Sequence, residues 1–128
     1  MIERISPPGA PAPRGPYSPA VRAGDYIFIS GQISVDPLSD KTMLGDVQSE
    51  TRQVLTNIKN ILGGCGASMA DVVRCGVYLI NAADFKPMNE VYAEFFGSAK
   101  PARTTIIVAA LPLKDAKVEI DAVAYKPA

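Results

Sequence analysis

Histidine is absent from all 128 residues, and that removes several mechanisms at once. A Ser-His-Asp or Cys-His hydrolase needs an imidazole to move the proton, and a zinc nucleobase deaminase needs its His-x-Glu and Cys-x-x-Cys ligands. Histidine-dependent RNA cleavage is excluded for the same reason, and no Walker loop or dinucleotide-binding glycine pattern is present. Cysteine is scarce: Cys65 and Cys75 stand alone. With no secretion signal in view they are expected to be free thiols in a reducing compartment, and neither is assigned a role. No stretch holds the ~18 consecutive apolar residues that would span a bilayer, and Met1 to Ala12 lacks both an apolar core and a basic amphipathic pattern. A cytoplasmic protein without a membrane partner is the expectation. Net charge is also missing, since thirteen basic residues balance thirteen acidic ones. Bulk attraction to a polyanion is therefore absent and nucleic acid is not an expected partner. A neutral surface also does little to keep copies apart, which is compatible with self-association. Internal repeats, linkers and low-complexity tracts are lacking too.

What is present is an ordinary globular composition, 48% hydrophobic and 20% charged, which favours neither disorder nor a membrane class. A chain this long buries roughly two-thirds of its unfolded surface, so one domain spanning residues 1–128 is expected. Pro7, Pro8, Pro11, Pro13, Pro16 and Pro19 forbid a helix in the opening segment, which should run extended along a surface. Tyr26 to Ser30 reads as a strand after the Gly24-Asp25 turn, with a second strand around Gln32 to Val35 before Asp36-Pro37. From Val47 the period turns helical: Val47, Thr51, Val54, Leu55, Ile58, Ile61 and Leu62 form one stripe, with Glu50, Arg52, Gln53, Lys59 and Asn60 off it. Gly63-Gly64 supplies a left-handed stop. Val72 to Ile80 is a strand too apolar for an exposed edge. Asp84 is positioned as the N-cap of a second helix whose Phe85, Met88, Val91, Tyr92, Phe95 and Phe96 face the core, with Gly97 closing it. Thr104 to Ala110 and Lys117 to Tyr125 are the last two strands.

In the final strand Val118, Ile120, Ala122 and Ala124 share one face, and Glu119, Asp121, Val123 and Tyr125 share the other. Helices on one side of a mostly antiparallel sheet would cover the first face, giving an α+β layer protein. The second face, part apolar and part acidic, is left for another subunit. The surviving chemistry is one in which the substrate is already electrophilic, so that the protein orients it, holds its charge and delivers water. Imine hydrolysis fits, because a protonated C=N carbon accepts water without a metal and one carboxyl group can move the protons.

Five ordered motifs carry a resemblance: Gly15-Pro16-Tyr17-Ser18-Pro19-Ala20, Phe28-Ile29-Ser30-Gly31-Gln32, Asn89 to Phe96, Pro101-Ala102-Arg103-Thr104 and Val118-Glu119-Ile120. Together they resemble the Rid family, the reactive-intermediate (2-iminobutanoate/2-iminopropanoate) deaminases also called the YjgF family, over nearly the whole chain. The resemblance implies a chorismate-mutase-like α+β fold, two helices on one face of a mixed, mostly antiparallel sheet, and a homotrimer with active sites between subunits. It implies a small imino acid as substrate, and neither metal nor cofactor. Arg103 matches the arginine that binds the substrate carboxylate, a role suited to a planar fork with two charge-assisted hydrogen bonds. Glu119 matches the glutamate that positions or activates water. Asp121 shares its face and competes for the assignment. Tyr17, Ser30, Gly31 and Asn89 match cleft-lining positions; each alone also reads as a packing residue, a strand-end bulge or a helix-surface amide. Thr105 stands where many members carry cysteine, and either its backbone carbonyl or its side chain is what the cleft uses.

The substrates implied are 2-aminoacrylate and 2-iminobutanoate, released as 2-keto acids and ammonia. Alternatives are a deaminase specific for another enamine such as an aminomuconate, and a ligand-binding or interaction trimer without catalysis. Sequence alone leaves open the physiological substrate, any partner enzyme, the effect of Thr105 and the redox response of Cys65 and Cys75.

Overall fold

The computed structural model describes all 128 residues. Eight regular elements follow in order: β1 (Ile2–Ile5), β2 (Ala20–Ala23), β3 (Tyr26–Gln32), α1 (Val47–Gly64), β4 (Val72–Leu79), α2 (Phe85–Phe96), β5 (Ala102–Ile107) and β6 (Val118–Tyr125). The strands form one six-stranded sheet in the order β1-β2-β3-β6-β4-β5. Every neighbouring pair is antiparallel except β4 and β5, which are parallel and joined through α2. A parallel pair needs such a crossover, because a tight turn cannot return the chain in the same direction. The α+β architecture with both helices on one face is as the apolar patterning predicts.

The helices cover the face of β6 that carries Val118, Ile120, Ala122 and Ala124, all buried with Leu55, Ile58, Ile61 and Leu62 of α1 and Met88 and Phe96 of α2 in one cluster. Each fully buried leucine or isoleucine there contributes about 1.5–3 kcal/mol relative to an exposed one. β4 lies inside the sheet, as its apolar run requires.

Several local expectations are corrected. Ile2–Ile5 and Ala20–Ala23 are true strands paired with one another, and the prolines occupy the loop between them, where no ladder donor is needed. The strand expected at Gln32 to Val35 is the end of β3; beyond it only an isolated Val35–Thr42 bridge remains. Gly63 and Gly64 are helical, and the left-handed residue is Gly66 at φ +78°. Gly64 serves instead for close approach, because a Cβ there would collide with the side chain of Pro7. Asp84 precedes α2 without capping it through its side chain. Asn81 Oδ1 accepts from the Ala83 N–H at 2.9 Å and starts the short turn ahead of the helix. Asp46 does cap α1, accepting from the Ser49 N–H at 2.7 Å, and that bond holds its carboxyl below the usual aspartate value. β5 ends at Ile107 rather than Ala110, and β6 starts at Val118.

Glu50, off the apolar stripe, is nevertheless fully buried. Its Oε1 accepts from the Lys117 N–H at 2.8 Å, its Oε2 accepts from the Gly45 N–H at 3.2 Å, and Lys117 Nζ lies 3.4 Å from Oε2. A buried carboxylate is tolerable only with such partners.

Candidate functional site

The proline-rich arm is sewn to the end of β3. The Ser30 N–H donates to Pro19 O at 3.0 Å and Ser30 Oγ to Ser18 O at 2.6 Å. Pairing between β3 and β6 slips between Ile29 and Gln32, so Ser30 and Gly31 sit in an irregularity of the ladder, a device that re-aims neighbouring groups. Between arm, bulge and β6 lies a cleft of about 440 Å³ lined by Arg14, Tyr17, Ser30, Gly31, Pro112 and Glu119, among others. That volume is within the usual range for small-molecule sites.

Gly31 is dictated by Glu119. A Cβ at position 31 would overlap the Glu119 carboxylate, so the glycine leaves that side chain room to lie across β3. Gly31→Ala is accordingly expected to dislodge the carboxylate. Turnover should drop by about tenfold or more, the scale on which small misplacements of reacting groups act, while circular dichroism and thermal unfolding still report a folded protein.

Glu119 and Asp121 differ in their surroundings. Asp121 Oδ1 accepts from the Gly76 N–H at 2.9 Å and Oδ2 from Tyr78 Oη at 2.8 Å, so both its oxygens are committed within the sheet. Glu119 faces the cleft instead. Burial first, and then the charge of Asp121, push the Glu119 carboxyl above the usual glutamate range.

Arg103 lies elsewhere. On edge strand β5 it pairs in register with buried Cys75 of β4, on the side of the sheet that the helices cover. Its guanidinium carbon stands 4.7 Å from the ring centroid of Tyr92 and 5.6 Å from that of Phe85, both on α2. These contacts support a cation without consuming its in-plane donors. Arg103 takes part in none of the four ion pairs of the chain. Phe85, expected in the core, is 43% exposed; it sits at the rim of the helix stripe and backs the arginine. Phe96 is buried and Phe95 packs against the core.

Around the arginine, buried polar atoms lack partners: Asn89 Oδ1, Tyr92 Oη and Thr105 Oγ1. Thr105 follows Arg103 on the same face of β5, and Asn89 precedes Tyr92 by about one turn of α2. Such orphans are rare in finished interiors. Burial raises the Tyr92 phenol and pushes the Cys75 thiol up to about 11, so both remain neutral near neutral pH. Cys65 is also a free thiol.

A single chain thus gathers Tyr17, Ser30, Gly31 and Glu119 in one cleft, and Arg103, Thr105 and Asn89 in a second, helix-side cluster. It does not bring the two sets together: Glu119 on β6 and Arg103 on β5 lie on opposite faces of the sheet with β4 between them. Sequence reasoning missed the aromatic backing of Arg103, the cleft position of Arg14 and the burial of Glu50. The spacing of Phe85 and Tyr92, seven residues or two helical turns, was the available signal for the first.

Similar proteins place this geometry in context. A RutC family protein of Pyrococcus horikoshii is 52% identical over 126 residues, covering 98% of this chain and 99% of its own. A bovine (Bos taurus) protein named 2-iminobutanoate/2-iminopropanoate deaminase is 46% identical over 122 residues, covering 95% and 88%. The crystal structure of RidA from an Antarctic Psychrobacter superposes with a TM-score of 0.91 at 39% identity, over 96% of this chain and 98% of that one. Residues 8–126 match the family model described as Endoribonuclease L-PSP. With that match and relatives of this identity along almost its full length, the chain belongs to the Rid (YjgF) family.

Proposed function

We propose that this chain is an enzyme that hydrolyses reactive enamines and imines, such as 2-aminoacrylate and 2-iminobutanoate, to 2-keto acids and ammonia. It acts in the cytoplasm as a homotrimer of one-domain protomers. The observation that carries the reading is Arg103: a guanidinium with no acidic partner, propped on two aromatic rings beside orphaned polar atoms. A small carboxylate satisfies its planar fork. The names of relatives at 43–46% identity that are imine deaminases support the same chemistry.

The two half-sites become one when Arg103 of the partner subunit closes the cleft that holds Glu119. The partner subunit's Arg103 grips the carboxylate, and Tyr17, Ser30 and Gly31 shape the space around the C=N carbon. An enamine first takes a proton at its terminal carbon and becomes the iminium. Glu119, ionised, then accepts a proton from water as the oxygen adds to the C=N carbon. The same proton passes to nitrogen, and Glu119 takes the proton of the new hydroxyl as the C=O bond forms, the C–N bond breaks and ammonia leaves, carrying that last proton away as ammonium. Burial that raises the Glu119 carboxyl brings it nearer to the pH at which it must both take and return a proton. No step requires a metal or cofactor. Neutral net charge and the lack of histidine favour this reading over RNA cleavage.

Subunit complementation tests it. Arg103→Ala and Glu119→Gln proteins, each expected to be inactive, are unfolded together, refolded and assayed for keto acid and ammonia. Mixed trimers should regain activity, because some interfaces combine an intact Arg103 with an intact Glu119. No recovery from trimers shown to be mixed would rule out a site shared between protomers.

A further inference from the structure

We propose that Arg14 is a second anion-binding residue of the cleft, selecting imino acids that carry a carboxylate on their side chain. The inference rests on the imine deaminase reading and adds a substrate class to it. Among the residues that line the cleft, Arg14 and Glu119 alone are charged, so Arg14 is its one cation.

Arg14 is built into this wall rather than draped over it. Its backbone N–H donates to Tyr17 Oη at 3.3 Å, and the Tyr17 N–H donates to Gly15 O at 2.9 Å, so residues 14 to 17 form a closed turn. Pro13 just before that turn and Pro16 within it stiffen it. The guanidinium is only half engaged. Nη2 donates to Asp40 O at 2.9 Å and stands 3.6 Å from Asp40 Oδ1, which leaves Nε and Nη1 free. Arg14 and Asp40 are 41% and 67% exposed, and an exposed pair of that kind holds its members weakly. A substrate carboxylate entering the cleft can therefore recruit the free edge of the fork. Glu119 repels a second negative charge from the same cleft, so a dicarboxylic substrate needs a cation at the far end. Two guanidinium groups, Arg103 of the partner subunit and Arg14, would then set the length of the preferred substrate.

The test compares imines generated in place by amino-acid oxidases, one from glutamate and one from 2-aminobutanoate, as a ratio of kcat/KM values. Arg14→Ala should lower the glutamate-to-aminobutanoate ratio by about tenfold or more, the scale of one lost charge-assisted contact. Asp40→Ala, which frees the guanidinium, should raise it. If the Arg14–Asp40 pair is only a latch for the arm, both variants will move the ratio in the same direction or leave it alone, and the proposal is overturned. Failure of the unmodified protein to deaminate either imine would sink the deaminase reading itself. Calorimetry with 2-oxoglutarate and 2-oxobutanoate then decides the role of Arg14 separately. Tighter binding of 2-oxoglutarate that Arg14→Ala abolishes supports it, and equal binding of the two keto acids overturns it.

Discussion

Replacing Arg103 with alanine should lower kcat/KM by between about a hundredfold and ten-thousandfold, since two charge-assisted hydrogen bonds at roughly 1.5–3 kcal/mol each are lost. The fold should survive. Arg103 is on an edge strand, joins no ion pair and is only partly buried, so its removal uncovers the Tyr92 and Phe85 rings without opening the core. Arg103→Lys is the sharper version. It keeps the charge and loses the planar fork, so most of the deficit should remain. Steady-state kinetics with enzymatically generated imine, together with light scattering of the 13.6 kDa chain as an oligomer, check both points. Near-normal turnover in either variant would mean that the substrate carboxylate is held elsewhere.

Glu119→Gln should lose about 10²–10⁴-fold in kcat, the usual worth of a positioned proton-transfer group, and should gain stability at neutral pH. The sign follows from the raised pKa. A carboxyl that titrates higher in the folded chain than in the unfolded one favours folding while protonated. That contribution fades as pH climbs from the unfolded value through the folded one. At neutral pH the native protein carries the full cost of a half-buried charge beside Asp121, and glutamine removes it. Thermal unfolding should therefore separate the variant from the parent most at neutral pH, with the gap closing on acidification. Activity needs the ionised form, so the rate should fall as pH drops through the raised pKa. Asp121→Asn, which takes away the neighbouring charge, should move that acidic limb to lower pH. A limb that does not move in this variant would assign the titration to another group.

How far the sequence was legible depended on the range of the interactions. The helices α1 and α2 and the strands β4 and β6 are written in local periodicity, and each was readable to within a few residues. Ile2–Ile5 and Ala20–Ala23 were not, because four-residue strands carry too short an alternation and the pairing of β1 with β2 spans six prolines. Phe85 was misread because a helical stripe gives direction and not depth; what separates rim from core is Arg103, on an element that follows α2. Glu50 was misread for a similar reason, since nothing within its own helix announces that the Gly45 and Lys117 amides converge on it. At the site, alternation alone put Glu119 and Asp121 on one face. Choosing between them required the register that sets Gly76 against Asp121 and brings the Tyr78 hydroxyl within reach of the same carboxylate. That Arg103 and Glu119 turn to opposite sides depends on how β5 pairs with β4, which no motif records.

Glu50 has a mechanical consequence for the cleft. The segment leading into β6, which supplies Pro112 and Leu113 to the cavity wall, is pinned at Lys117 to the fully buried Glu50 carboxylate. Swinging that segment outward would strand an anion in an oily interior. In the proposed site this segment is therefore a fixed side of the doorway, and the stiffened turn that carries Arg14 is another.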